Sequence, residues 1–196
     1  MDTLLGVAVG VGLSAACGFR VFVPLLVAGV AARAGVLTLT PGFEWLGTNP
    51  ALAALGTATA LEVVAYFVPW LDHLLDLIAT PTAVVAGVLA SAAVLTDLPP
   101  VLRWGLAVIA GGGAAGLVQG ASVLLRLKSA ALTGGLGNPV MALFELAAAL
   151  LTSVLAILLP LLAVALVLVL CVLAFRLAGR ILFGRGRAGG EHGSDP

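Results

Sequence analysis

Between Pro139 and Phe175 the chain carries one charged residue, Glu145. A run of 37 residues with that composition has no polar face to offer water, and it holds most of two helices of the ~20 residues that a bilayer core requires. The rest of the chain follows suit. Hydrophobic residues make up 62% of the 196 positions, charged residues 9%, and mean hydropathy is +1.23. A soluble domain is usually about 45–50% apolar and about 25% charged. The expected class is therefore an all-α membrane protein with about six transmembrane helices, which with short loops nearly exhaust the length. That leaves no room for a separate catalytic domain.

The helices can be marked out by their breaks. Leu4 to Ala32 is apolar over 29 residues, which as one helix would reach ~43 Å against a hydrocarbon core of about 30 Å. Gly18, Arg20 and Pro24 fall near its middle, so a broken first helix is expected. A more polar connection, 34–50, ends in Asn49-Pro50, where Asn suits an N-cap and Pro the first helical position. A second span follows from Ala51 to Val68. Between Pro69 and Thr80, apolar residues lie on one side of a helical wheel and Asp72, His73 and Asp76 on the other. That spacing predicts a short amphipathic helix at the membrane interface. Thr80-Pro81 is expected to restart the chain into a third span, Thr82 to Leu95.

The fourth span is expected from Val101 to Leu125. It contains Gly111, Gly112, Gly113, Gly116 and Gly120 and is closed by Arg126 and Lys128. A Gly-rich loop, Thr133 to Gly137, leads into Asn138-Pro139, a second helix start of the same kind. Two spans then fill the apolar run, with a turn near Pro160. Residues 1–183 form one membrane domain in this reading, and 184–196 a disordered tail. Cys17 and Cys171 lie within apolar stretches and read as small buried hydrophobes. The first apolar stretch lacks the basic flank of a signal peptide and reads as a mature span.

Arg126 and Lys128 precede the fifth span, and Arg176, Arg180, Arg185 and Arg187 follow the sixth. With six spans both groups lie on one side, which the tendency of basic loops to stay inside makes cytoplasmic, together with both termini. The two halves, 4–96 and 101–183, share an order of features: a Gly-rich helix, a loop ending in Asn-Pro, and an apolar helix holding one glutamate, Glu62 or Glu145. Three spans per half would relate them as inverted repeats.

Ionised groups inside a bilayer cost something like 2.5–3.5 kcal/mol on insertion scales and usually mark function. Arg20, Glu62 and Glu145 are the candidates, expected as one buried polar cluster between the halves. Gly18, Gln119, Gly120 and Ser122 are expected to line a path beside it, although Gln119 and Ser122 could equally bond a neighbouring helix backbone. Asp72, His73 and Asp76 have ligand chemistry, but a solvated helix face has the same spacing, so no metal or other cofactor is expected. Formal net charge is zero, which leaves no basic face for nucleic acid. The sequence carries no nucleophile triad, nucleotide-binding loop, zinc-protease motif or haem motif, so an enzyme is not expected.

The stretch from Gly12 to Leu25, with its Cys17-Gly-Phe-Arg20 core, resembles the opening of a bacterial membrane family described as domain of unknown function 4126. So do Leu61-Glu62 with Pro69, Asp72 and Asp76 downstream, and Thr133 to Pro139 followed by Glu145. The resemblance covers about residues 5–165. Where that family tends to carry an Asp-Lys pair after the first glutamate, this chain has Tyr66-Phe67. The resemblance implies a multi-pass protein of the bacterial inner membrane and brings no activity with it. The residues themselves point to a small transporter or channel-like protein for a solute or ion. The alternative is a membrane scaffold or assembly factor whose charges only fix helix packing. The bilayer is the one partner implied; the Gly-rich faces of the first and fourth spans could pack within one chain or between copies.

Overall fold

A computed structural model describes residues 3–65, 69–133 and 137–183; side chains are described throughout these except at 69–77, 130–133, 138–139 and much of the chain from 174 onward. Every regular element among them is helical. The elements are α1 (Thr3–Cys17), α2 (Phe22–Arg33), a 3₁₀ turn (Glu44–Gly47), α3 (Asn49–Ala65), α4 (Pro69–Val94), α5 (Pro100–Leu106), a π-helical stretch (Ala107–Gly112), α6 (Gly113–Thr133), α7 (Asn138–Leu158) and α8 (Pro160–Phe183). α5, the π stretch and α6 join end to end. Two segments, Pro100–Ser129 and Val140–Leu158, are long and apolar enough to cross a membrane.

α1 is the hub. It packs along α4, α6, α7 and α8 through small residues, which let backbones approach closely. A Cβ on Gly10 would lie 2.8 Å from the Ser91 hydroxyl oxygen, and one on Gly12 would lie 2.6 Å from the Ala156 Cβ. The Ser14 hydroxyl donates to the Gly87 carbonyl at 2.6 Å. These contacts fix directions. Gly6 meets Val94, Gly10 meets Ser91 and Ser14 meets Gly87, so α1 and α4 are antiparallel. Ser14 meets Gly111 and Gly18 meets Ala115, Val118 and Gln119, so α1 and α6 are parallel.

The expected break in the first apolar stretch is present, and the chain reverses there. Residues 18–21 leave the helix and α2 runs back along α1. Past α2, Thr40 donates from its backbone N–H to the Ala93 carbonyl at 2.7 Å and from its hydroxyl to the Ala92 carbonyl at 3.0 Å. Residues 6 and 40 thus flank the same end of α4. The stretch expected to be one broken span is a helical hairpin with its tip deep in the bundle.

A second hairpin joins α7 to α8 through one residue, Leu159 (φ −137°, ψ 67°). The turn expected near Pro160 is there, because Pro160 has no N–H to continue α7 and is suited to open α8. Ala156 and Ala163, on its two arms, both face Gly12 of α1.

Two boundaries differ from expectation. The amphipathic helix and third span are one helix, α4, which passes through Pro81. Proline removes the bond from its own nitrogen to the carbonyl four residues earlier, and α4 continues through that single missing bond. The fourth span continues past Leu125 to Thr133, because Arg126 is neutralised inside the bundle and does not have to end the helix at water.

Candidate functional site

The tip of the α1–α2 hairpin holds the charges. The carbonyl end of α1 and the N–H end of α2 meet at the break, so a negative and a positive helix end lie side by side. Gly18 lets this tip seat on α6: a Cβ there would fall 2.5 Å from the Ala115 carbonyl oxygen and 2.9 Å from the Gln119 nitrogen. Arg20, only 1% exposed, extends from the tip to α7. Its Nη2 donates to the Ala142 carbonyl at 2.8 Å and lies 3.7 Å from Glu145 Oε2.

Glu145, also 1% exposed, is shared between two arginines. Arg126 of α6 grips it in a two-pronged pair: Nε donates to Oε1 at 2.9 Å and Nη2 donates to Oε2. Such planar pairing is what a guanidinium does best. Glu62, half-buried on α3, accepts from the Val21 N–H at 3.0 Å and the Phe22 N–H at 3.4 Å. Its carboxylate therefore caps the positive end of α2 and lies within electrostatic reach of Arg20 and Glu145. Two guanidinium groups and two carboxylates balance formally. By helix rise, Glu145 sits ~10 Å from one end of α7 and ~20 Å from the other.

The structure thus brings Arg20, Glu62 and Glu145 together, with Gly18 at the contact between tip and α6. Gln119 and Ser122 are buried on the inner side of α6. Gly120 is not beside them: it is exposed and a Cβ there would meet nothing within 4 Å. A 100° step per residue turns position 120 away from the face shared by 119 and 122. Asp72, His73 and Asp76 lie on α4, but their side chains fall outside the described residues, as does the 184–196 tail.

Arg126, expected to close the fourth span, belongs to the site as well. The signal was available: Gln119, Ser122 and Arg126 are spaced i, i+3, i+7, one face of a continued helix. What hid it was the habit of ending a span at the first cation.

A second feature adjoins the tip. α6, α7 and α8 splay around an apolar groove of about 540 Å³, lined by Phe19 of the tip and by residues such as Leu117, Leu125, Ala148, Leu151 and Leu170. Ser122 belongs to this lining.

An all-helical bundle with membrane-length apolar helices, an interrupted helix and ion pairs sealed at the interruption defines a class, small helical proteins compatible with a membrane. Within that class the chain belongs to the family described as domain of unknown function (DUF4126), whose model matches residues 7–180. No curated protein and no solved structure matches the chain.

Proposed function

We propose that this protein is a small multi-pass membrane transporter whose site is the tip of the α1–α2 hairpin. The carrying observation is that a helix is interrupted inside the bundle with Arg20 between the two half-helix ends, Glu145 against it and Glu62 on the α2 amides. Transporters interrupt helices where unwound backbone and helix ends must meet a charged solute, and irregular backbone at that depth is tolerated only in a protein-lined site. The pairs formed here would exchange for a small anion at Arg20 or a proton or cation at Glu62.

The membrane placement rests on the outward apolar surface. Val101, Ile109, Val140, Leu151 and Leu161 are each more than 60% exposed, an arrangement that water would disfavour. Helix directions then support five crossings, α3, α4, α5–α6, α7 and α8, plus the re-entrant hairpin. Arg126, Lys128, Arg176 and Arg180 fall in the C-terminal parts of α6 and α8, and the end those helices share becomes the cytoplasmic side of the inner membrane. The end of α8 lies on that side and the start of α1 on the other. Six crossings would put both termini inside; five crossings and a hairpin put them on opposite sides.

The chain directions also support an inverted repeat, in a different register. α1 and α6 are parallel, so they are not inverted equivalents. α2, α3 and α4 run opposite to α6, α7 and α8 in turn, with Asn49-Pro50 and Asn138-Pro139 at matching helix starts. Glu62 and Glu145 then occupy corresponding helices.

The test is solute flux into proteoliposomes by wild type and Glu62→Gln. The variant keeps the shape and one acceptor oxygen for the α2 amides but loses the charge. Flux lost in a monodisperse variant supports the site; unchanged flux removes Glu62 from it. The scaffold reading draws on the two-pronged Arg126–Glu145 pair, whose burial suits a static lock. It expects no flux from either protein and loss of folding in the variant.

A further inference from the structure

The groove between α6, α7 and α8 has a defined shape and a defined charge at one end. Its V form follows from the one-residue Leu159 hinge: the apex is filled by Gly12 of α1 between Ala156 and Ala163, and the arms diverge from there. Phe19 forms part of the lining toward the core, while Leu151 and Phe144, each 61% exposed, stand at the open side. In the membrane placement argued above, the opening faces hydrocarbon. A cavity of about 540 Å³ is within the range of small-molecule sites.

Charge appears where the apolar lining stops. On α6, Leu117, Ala121 and Leu125 line the groove at i, i+4, i+8, and Lys128 continues the stripe one turn on, exposed. On α8, Leu166, Leu170 and Leu173 line it at i, i+4, i+7, and exposed Arg176 follows one turn on. The carboxylate nearest on α7, Glu145, faces inward on Arg126 and Arg20. The end of the groove beyond its lining is therefore cationic, and the trough is hydrocarbon.

We infer that this groove holds an acyl chain of an anionic phospholipid from the cytoplasmic leaflet, with its headgroup phosphate at Lys128 and Arg176. Two cations at the end of a chain-shaped trough match a molecule with a long apolar tail and a negative head, and anionic lipids concentrate at basic residues on this leaflet. The chain would pack on Phe19, one residue from Arg20, so occupancy would bear on the hairpin tip. This inference depends on the membrane placement and not on transport.

The test is native mass spectrometry of the full-length protein after exchange into detergent with phosphatidylglycerol or phosphatidylcholine, which needs no flux. One phosphatidylglycerol per chain should survive mild activation and exceed phosphatidylcholine by on the order of tenfold. Lys128→Gln with Arg176→Gln should erase that preference, and Ala148→Trp, which fills the trough, should remove the adduct. For the wild type itself, phosphatidylglycerol carrying a diazirine in its acyl chain should cross-link to α6, α7 or α8 peptides facing the groove. Equal retention of both lipids, an adduct unchanged by Ala148→Trp in a folded protein, cross-links scattered over the outer surface, or a lipid-free dimer that blocks cross-linking would each overturn the inference.

Discussion

The molecule contains two helical hairpins that reverse inside one bundle, and they are built from opposite materials. At the α1–α2 tip four residues leave the helix; Glu62 of α3 takes the freed amides, and Glu145 of α7, itself held by Arg126 of α6, faces the Arg20 charge. At the α7–α8 apex only Leu159 leaves the helix, and the reversal is stabilised by alanines closing on Gly12. Breaking a helix does not by itself make a polar site. The polar tip arises where the break is long enough to expose two helix ends and carries an arginine that must be balanced.

The strongest way to break this comparison is to remove a charge from the tip. Glu145→Ala leaves Arg20 and Arg126 buried without the carboxylate that both use. Removing one partner of a buried pair costs about 3–5 kcal/mol, because the remaining charge is left uncompensated. Two cations here share one acid, so thermal unfolding in detergent or lipid should show the largest loss of any single substitution in the protein. A small loss would mean that water reaches the cluster.

Backbone collisions come next. Gly18→Ala drives a Cβ to 2.5 Å from the Ala115 carbonyl oxygen and 2.9 Å from the Gln119 nitrogen, both backbone atoms that cannot rotate away. The hairpin tip must lift off α6, and overpacking of this kind costs typically 1–3 kcal/mol. Gly12→Ala drives a Cβ to 2.6 Å from the Ala156 Cβ, but the arms of a one-residue hinge can spread. Its stability loss should fall below that of Gly18→Ala, on the order of 1 kcal/mol. On the proposed transport reading the sharper difference lies in flux: Gly18→Ala displaces Arg20 and should abolish it, while Gly12→Ala should retain it. Equal loss of flux in both would show that the two hairpins move as one unit.

This contrast also explains what could be read in the sequence. Helix breaks at Gly18–Arg20, Asn49-Pro50, Asn138-Pro139 and Pro160 were legible, because glycine, proline and charge act on the local backbone. Arg20, Glu62 and Glu145 were legible as a group because apolar surroundings leave few ways to balance a charge. The reversal at residues 18–21 was not legible: a kinked helix and a hairpin need the same residues, and the seat of Thr40 beside Ala92 and Ala93 separates them. Pro81 misled for a related reason. A threonine beside a proline fits a helix start and a continuing helix equally well, and α4 continues. Arg126 was hidden by composition, since a cation after an apolar run usually marks the water boundary.

The smallest expected effect tests the outer side of the same tip. Gly120 has the composition of a pathway residue, sits one position from Gln119 and follows Gly18 in the sequence pattern, yet it points outward into open space. Nothing there requires the absence of a Cβ, and its φ is not in the left-handed region. Glycine inside a helix is less favourable than alanine by about 1 kcal/mol, mainly through backbone entropy. Gly120→Ala should therefore leave flux unchanged and raise the unfolding temperature slightly, in contrast to Gly18→Ala. A loss of flux in Gly120→Ala, with stability intact, would mean that α6 rotates during the working cycle and presents this face to the site.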